Sequence, residues 1–228
     1  MVIMQKEAKA VIIDLDGTLC EGRVATGIGK AYMRRELARL HFGNLRRGIK
    51  GAERVMEVVK TNGANGNAEG LKAFYDELIA LGLGKRYEMF NYATKYLRKH
   101  RVEAVAAFIN RFKPPVVKII ATTGGSTSAE AAQLEYGAES VVANIDQFKG
   151  EDATLRGVRL DIRNGDDKLI GVLDKLDMMG IKIGECIAIG DGQDDVAVLN
   201  AVPLNRRYAS PLADEKVLSI SGIVRLSN

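Results

Sequence analysis

The chain has 228 residues, enough for one domain with a large insertion or for two small domains. Hydrophobic residues make up 46% of it and the net charge is only +4, so a disordered protein is excluded. No run is long and apolar enough to span a bilayer, and residues 1–7 lack a signal-peptide pattern, so we expect a cytoplasmic protein.

Cysteine and histidine are too few and too scattered to form a recognisable site. Cys20 and Cys186 lie far apart and match no metal or redox spacing, so both are expected to be reduced. His41 and His100 are equally isolated. Disulfide, redox-pair and histidine-rich metal chemistry are therefore excluded.

The first predicted element is a short buried strand, residues 11–13, that is followed by two acids. Side chains alternate along an extended strand, so Asp14 and Asp16 are predicted to lie on the same side. Gly17 frees the backbone after them, and Thr18 is predicted to bond back to the turn. Two like charges this close need a cation or a proton between them, and Mg²⁺ suits such oxygen ligands. The simpler alternative is a turn with solvated acids.

Residues 20–113 differ from the rest of the chain in pattern and in charge. Helical periodicity predicts four helices, at 28–41, 45–60, 68–81 and 85–110. An Asn/Gly-rich loop at 61–67 separates the second helix from the third, and Pro114-Pro115 ends the region. This region carries 19 lysines and arginines against 9 acids, a net +10, whereas the remainder carries 14 against 20, a net −6. The pattern indicates an inserted all-helical module.

From Val116 onward strands and helices alternate, as in a doubly wound sheet. Strands are predicted at 116–121, 140–145, 185–189, 202–204 and 217–224, with a β-hairpin over 147–164. Helices are predicted at 126–136, 166–179 and 193–200. The sequence thus predicts an α/β fold with a doubly wound, mostly parallel, Rossmann-like sheet. Residues 1–20 and 114–228 form its core, and residues 21–113 form the helical domain.

Two further signals suit the chemistry of the first motif. Thr123 precedes Gly124 and Gly125 at a predicted strand end, where a hydroxyl and glycine amides can hold phosphate oxygens. Thr122 is a rival, but we prefer Thr123 because the glycines directly follow it. Lys168, near a helix start, can neutralise charge on a phosphoryl group. An ordinary turn and a solvated lysine are the plainer alternatives.

A third signal is the run Gly-Asp-Gly-Gln-Asp-Asp at residues 190–195, which follows another buried strand. Asp191 is placed to complete the oxygen shell of a divalent cation. Asp195, one helical turn further on, is placed either to bind the metal or to hold Lys168. Acids that favour a helix N-terminus explain one of these aspartates well but three poorly.

Taken in order, the motifs Asp-x-Asp-Gly-Thr, Thr-Gly-Gly, Lys and Gly-Asp-Gly-x-x-Asp resemble those of the haloacid dehalogenase (HAD) superfamily of phosphohydrolases. Thr-Gly-Gly-Ser and Gly-Asp-Gly-Gln-Asp-Asp are most similar to its phosphoserine phosphatase-like branch. The resemblance covers residues 8–20 and 116–205, and the helical insertion suits the cap of that branch, which enters just after the first motif. Dehalogenases of the superfamily lack the second aspartate, so the resemblance implies a phosphatase or phosphotransferase.

The resemblance also implies roles for the acids. Asp14 matches the nucleophile that forms an aspartyl-phosphate, and Asp16 matches the general acid and base. The metal ligands implied are Asp14, the backbone carbonyl of Asp16, and Asp191.

Other positions would bind the phosphoryl group or the substrate. Thr123, the Gly124 amide and Lys168 match the groups that hold phosphoryl oxygens, and Asp195 matches a residue that supports the metal or the lysine. Phosphoserine phosphatases commonly carry a glutamate where this chain has Arg23. An arginine cannot accept a hydrogen bond from an ammonium group but suits a carboxylate or a second phosphate.

We therefore predict a Mg²⁺-dependent phosphomonoester phosphatase that acts on a small anionic phosphorylated metabolite. Neither a membrane nor a nucleic acid is expected as a partner, and a monomer and a homodimer are both open. The net positive charge of the helical module has three possible explanations: solvated helix faces, steering of an anionic substrate, or nucleic-acid binding. Two other functions stay open: a phosphate-pocket protein whose cap reads an anionic partner such as RNA, and a phosphotransferase that uses the same residues.

Overall fold

The computed structural model describes residues 8–39, 53–54, 57 and 68–227. At its centre is a seven-stranded sheet with the strand order β4-β3-β2-β1-β5-β6-β7. Neighbouring strands are parallel except for β3 and β4, which are antiparallel. The strands are β1 Ala10–Ile13, β2 Val117–Gly125, β3 Ser140–Lys149, β4 Thr154–Arg159, β5 Cys186–Gly190, β6 Arg207–Ala209 and β7 Val224–Arg225. This sheet confirms the predicted α/β fold.

The central strand β1 is buried on both faces. Val11 and Ile13 belong to one hydrophobic cluster, and Ala10 and Ile12 belong to another, as the alternation of side chains along a strand requires. The strand pairs with β2 on one side and with β5 on the other. The residues that follow β1 therefore emerge between the ends of two neighbouring strands.

Helices cover both faces of the sheet. Between β1 and β2 the described helices are α1 Val24–Arg39, α2 Ala68–Ala80, α3 Arg86–Lys99 and α4 Glu103–Ile109. The later helices are α5 Ser126–Tyr136, α6 Gly165–Met178, α7 Val196–Ala201 and α8 Glu215–Leu218. Buried residues of the four inserted helices join the cluster that contains Val11 and Ile13, so these helices share a core with the sheet. Among the residues described, no helix is long and apolar enough to cross a membrane.

The predicted helix over 85–110 is broken into α3 and α4. The backbone at the break pairs with the segment that follows β1. Glu21 donates its N–H to the carbonyl of His100 at 2.6 Å, and Val102 donates to the carbonyl of Leu19 at 3.0 Å. Because these tertiary hydrogen bonds replace helical ones, the chain leaves the helix there. The predicted helix over 45–60 and the loop at 61–67 lie outside the described residues, apart from three positions in that helix.

The C-terminal strands lie elsewhere than the sequence predicts. Residues 202–204 do not form a strand; a 3-10 turn, Leu204–Arg206, leads into β6 instead. The predicted strand over 217–224 is also wrong, because Asp214 caps α8 by accepting a hydrogen bond from the Val217 N–H at 3.0 Å. Val217 is fully buried as part of that helix, and only β7 at the end of this stretch is extended.

Candidate active site

Two loops and a strand end meet at the carboxyl edge of the central sheet. Because β1 lies between β2 and β5, the C-terminal end of β2 and the loops that follow β1 and β5 are neighbours. Together with residues of α1 and α2, they line a cavity of about 490 Å³. Of the predicted site residues, the structure brings to this cavity Asp14, Asp16, Arg23, Thr123, Gly124, Asp191 and Asp195.

Lys168 is the predicted site residue that lies deepest. It sits in the first turn of α6, whose N-cap Asn164 accepts hydrogen bonds from the N–H groups of Asp166 and Asp167. The lysine is only 2% exposed, and its Nζ lies 2.6 Å from an oxygen of Asp14 and 2.6 Å from an oxygen of Asp195. The alternative of a solvated surface lysine is therefore wrong.

The charge of Lys168 is held by its two acidic partners. Burial by itself would lower the pKa of the ammonium group, because water no longer solvates the charge. The negative charges of Asp14 and Asp195, together with their hydrogen bonds, outweigh that effect and raise the pKa above its ordinary value. The site therefore contains a fixed cation beside Asp14.

Asp195 connects this lysine to the loop after β5. Its Oδ1 accepts from Lys168, and its Oδ2 accepts from the backbone N–H groups of Asp191 and Gly192 at 2.8 and 3.1 Å. Both carboxylate oxygens are thus engaged by groups of the protein. Of the two roles that the sequence left open for Asp195, the geometry favours holding the lysine.

Asp14 and Asp191 form an acidic centre with Asp195. One oxygen from each of the three carboxylates lies within 4.8 Å of the others. Burial, followed by the charge of Asp195, raises the pKa of Asp14 well above its ordinary value and that of Asp191 to about 7. Burial and mutual repulsion disfavour the ionised form of these carboxylates, Lys168 opposes that effect, and a hard divalent cation bound between them would oppose it further.

Thr18 has a role that sequence reasoning missed. Its hydroxyl donates to Oδ1 of Asp191 at 2.7 Å rather than bonding back to its own turn. The nearby Ser210 donates its hydroxyl to the Gly17 carbonyl at 2.9 Å. Both contacts join residues more than 170 positions apart, so no local pattern could have revealed them. They fix the turn after β1 against the loop after β5 and against the segment after β6.

Asp16 faces the inserted helices rather than the three-acid centre. Its Oδ1 accepts a hydrogen bond from the N–H of Val24, the first residue of α1, at 2.8 Å. Burial raises the pKa of this carboxyl group, and the Val24 hydrogen bond and the charge of Arg23 oppose that rise. The positive charge of Arg23 also opposes the rise in the pKa of Asp194. The guanidinium of Arg23 therefore acts on both of these acids, which line the same cavity.

The threonines at the end of β2 have different surroundings. Thr122 is only 1% exposed, and its hydroxyl accepts from the Gly124 N–H at 2.9 Å. Thr123 is half-buried, and its hydroxyl is 3.5 Å from Oδ2 of Asp194. The preferred Thr123 is therefore the more open of the two hydroxyls, while the Gly124 amide already has a partner within its own loop.

Replacing Gly17 by alanine is expected to destabilise the protein more than a left-handed backbone alone explains. Gly17 has φ +88°, and an added Cβ would overlap the carboxylate of Asp191. Gly137→Ala is the matched control, because Gly137 has φ +62° and open space around it. We expect urea unfolding to show that Gly17→Ala lowers the free energy of unfolding by at least about 1 kcal/mol more than Gly137→Ala does. Equal losses would show that the turn yields without disturbing Asp191.

Comparison with known proteins places the chain in a family. A model of the haloacid dehalogenase-like hydrolases matches residues 8–202. No curated protein sequence matches the chain.

Solved structures share the fold over nearly the whole chain. A substrate-bound phosphoserine phosphatase is similar with a TM-score of 0.64 at 16% identity, covering 97% of this chain and 93% of its own. A phospho-aspartyl intermediate analogue of phosphoserine phosphatase gives 0.63 at 17% identity, covering 97% and 94%. A protein of unknown function from Bordetella pertussis Tohama I gives 0.68 at 16% identity, covering 96% and 97%. At 16–17% sequence identity, these similarities show a shared fold.

Proposed function

Because the chain belongs to the haloacid dehalogenase-like hydrolases, we propose that it is a phosphatase that forms a phosphoaspartate on Asp14. The observation that carries the proposal is the Lys168 ammonium, fixed 2.6 Å from a carboxylate oxygen of Asp14 at the end of β1. Phosphoryl transfer depends mainly on positioning and on neutralising charge. A carboxylate held beside a buried cation, on the wall of a cavity, meets both needs.

The donor set fits Mg²⁺ as the divalent cation. We assign its ligands to the carboxylates of Asp14 and Asp191 and to the backbone carbonyl of Asp16. When bound, the ion would supply positive charge to the phosphoryl oxygens. We assign Asp195 to holding Lys168, because its oxygens already accept from the lysine and from two backbone amides.

Asp14 and Asp16 divide the chemistry between them. An oxygen of Asp14 attacks phosphorus while the bond from phosphorus to the leaving oxygen breaks, and Asp16 gives that oxygen a proton. Asp16 then takes a proton from water, whose oxygen attacks phosphorus, and the bond to Asp14 breaks to release phosphate. The raised pKa of buried Asp16 favours the protonated form that the first step requires.

The phosphoryl oxygens would be held by three groups of the core. These are the Thr123 hydroxyl, the Gly124 amide and the Lys168 ammonium. In the structure the Gly124 N–H donates to Thr122, so that amide must exchange its partner when phosphate binds. The Thr123 hydroxyl, which is half-buried on the cavity wall, donates a long hydrogen bond of 3.5 Å to Oδ2 of Asp194, so it too must exchange its partner when phosphate binds.

Residues 21–113 are proposed to form a cap domain over a catalytic core of residues 1–20 and 114–228. The cap would close over the substrate and exclude water. Arg23 lines the cavity from the cap and suits a second anionic group of the substrate, either a carboxylate or a phosphate. Leu71 and Phe74 line the same side and would contact apolar parts of a small phosphorylated metabolite.

Phosphate release from a panel of phosphomonoesters, measured with Mg²⁺ and with a chelator, tests this function. We expect release that requires Mg²⁺ and is fastest for substrates with a second anionic group. Product analysis with an alcohol present separates hydrolysis from phosphoryl transfer, which would use the same residues. Failure to release phosphate from every substrate, including an aryl phosphate with a good leaving group, would contradict the proposal.

A further inference from the structure

A buried amide on β3 joins two parts of the site that are far apart in sequence. Asn144 is fully buried, and its side chain makes three hydrogen bonds. Its Nδ2 donates to the carbonyl of Thr123 at 2.7 Å and to the carbonyl of Ile162 at 2.9 Å. Its Oδ1 accepts from the Ile162 N–H at 2.8 Å. None of the roles assigned above uses this residue.

The contact with Thr123 occurs where the backbone pairing between β2 and β3 is interrupted. The ladder between β2 and β3 is regular as far as Ala121 and Val142 and resumes at Gly125 and Asn144. Three residues of β2, 122–124, therefore face one residue of β3, so this part of the strand bulges out of the ladder. The Asn144 side chain supplies a hydrogen bond to the bulge that the sheet backbone does not supply.

The contact with Ile162 fixes the chain just before Lys168. Two residues after Ile162, Asn164 caps α6 and its carbonyl accepts the Lys168 N–H at 3.1 Å. At Gly165 the helix start approaches the backbone of Asp194 so closely that an added Cβ would lie 2.9 Å from its carbonyl oxygen. The start of α6 thus has little freedom once Ile162 is held.

We propose that Asn144 is a positioning residue that sets the separation of the Thr123 hydroxyl and the Lys168 ammonium. Both groups must reach oxygens of one phosphoryl group, and they arrive on separate segments that meet at this amide. Only a side chain with two N–H donors and an acceptor can hold both segments in this geometry. The proposal rests on the phosphatase function proposed above.

Asn144→Asp is the sharpest test, because it keeps the shape and the acceptor but removes both donors. We expect the affinity for inorganic phosphate, measured by calorimetry with Mg²⁺ present, to fall at least about tenfold. We expect kcat to fall between about tenfold and a hundredfold, because a misplaced Thr123 stabilises the transition state poorly. Affinity for Mg²⁺ should stay unchanged, since its ligands lie on other loops.

Two further variants separate positioning from stability. Val142→Ala removes buried apolar contact two residues earlier on the same strand, so it should lower the melting temperature and leave phosphate affinity unchanged. Asn144→Ala introduces no buried charge and should weaken phosphate binding in the same way as Asn144→Asp.

The possible outcomes are distinct. If the Asn144 variants bind phosphate as tightly as Val142→Ala does, the amide has only a structural role and the positioning proposal fails. If the wild-type protein itself binds no phosphate and releases none, the proposed function fails and the positioning role fails with it.

Discussion

Asp14→Asn is expected to abolish phosphate release, with a loss in kcat of at least about a thousandfold. The asparagine amide cannot act as a nucleophile toward phosphorus, and it also weakens the contact with Lys168. The protein should still fold, because the substitution removes one of three carboxylates that repel one another in a buried site. Phosphate release and the melting temperature of the same preparation are the measurements, both made with Mg²⁺.

Asp214→Asn is the matched control for this experiment. Asp214 lines the same cavity, but its carboxylate caps α8, and asparagine caps helices equally well. This variant should keep most of the activity. Full activity in Asp14→Asn would overturn the assignment of the nucleophile, and an unfolded Asp14→Asn would show instead that this acid is needed for the fold.

The parts of the site that lie beside strand ends could be predicted from the sequence. Asp14, Thr123 and Asp191 each follow a run of apolar residues, and the parallel sheet brings the ends of such runs together. The α/β alternation predicts that these strands run parallel, whereas the strand order that brings their ends together comes from the structure. Lys168 could be placed near a helix start, but its burial could not be predicted, because two acids from other loops make it possible.

The supporting contacts could not be predicted, because each joins distant segments. Thr18 meets Asp191, and Asn144 meets Thr123 and Ile162, only after the sheet has formed. The break in the predicted helix over 85–110 has the same origin, since its backbone pairs with the segment after β1. Periodicity predicts an element from its neighbours in sequence, and these features depend on neighbours in space.

Lys168→Met is expected to remove activity and to lower the free energy of unfolding by about 3–5 kcal/mol. The lysine is 2% exposed and pairs with Asp14 and Asp195, so its removal leaves two buried carboxylates without their cation. Urea unfolding with a chelator present measures the loss, because a bound divalent cation would compensate the same acids. Lys175→Met, at a half-buried position of the same helix, is the control and should change stability little.

A double variant distinguishes loss of this charge pairing from simple loss of packing. In Lys168→Met with Asp195→Asn, one uncompensated carboxylate is removed, while the asparagine oxygen still accepts from the backbone amides of the loop after β5. We expect the double variant to be more stable than Lys168→Met by at least about 1 kcal/mol, although it remains inactive. If the double variant instead loses as much free energy of unfolding as the two single variants together, the lysine contributes mainly by filling space. Recovery of stability without recovery of activity would show that the buried cation is retained for the reaction, because the fold tolerates its absence once the charges balance.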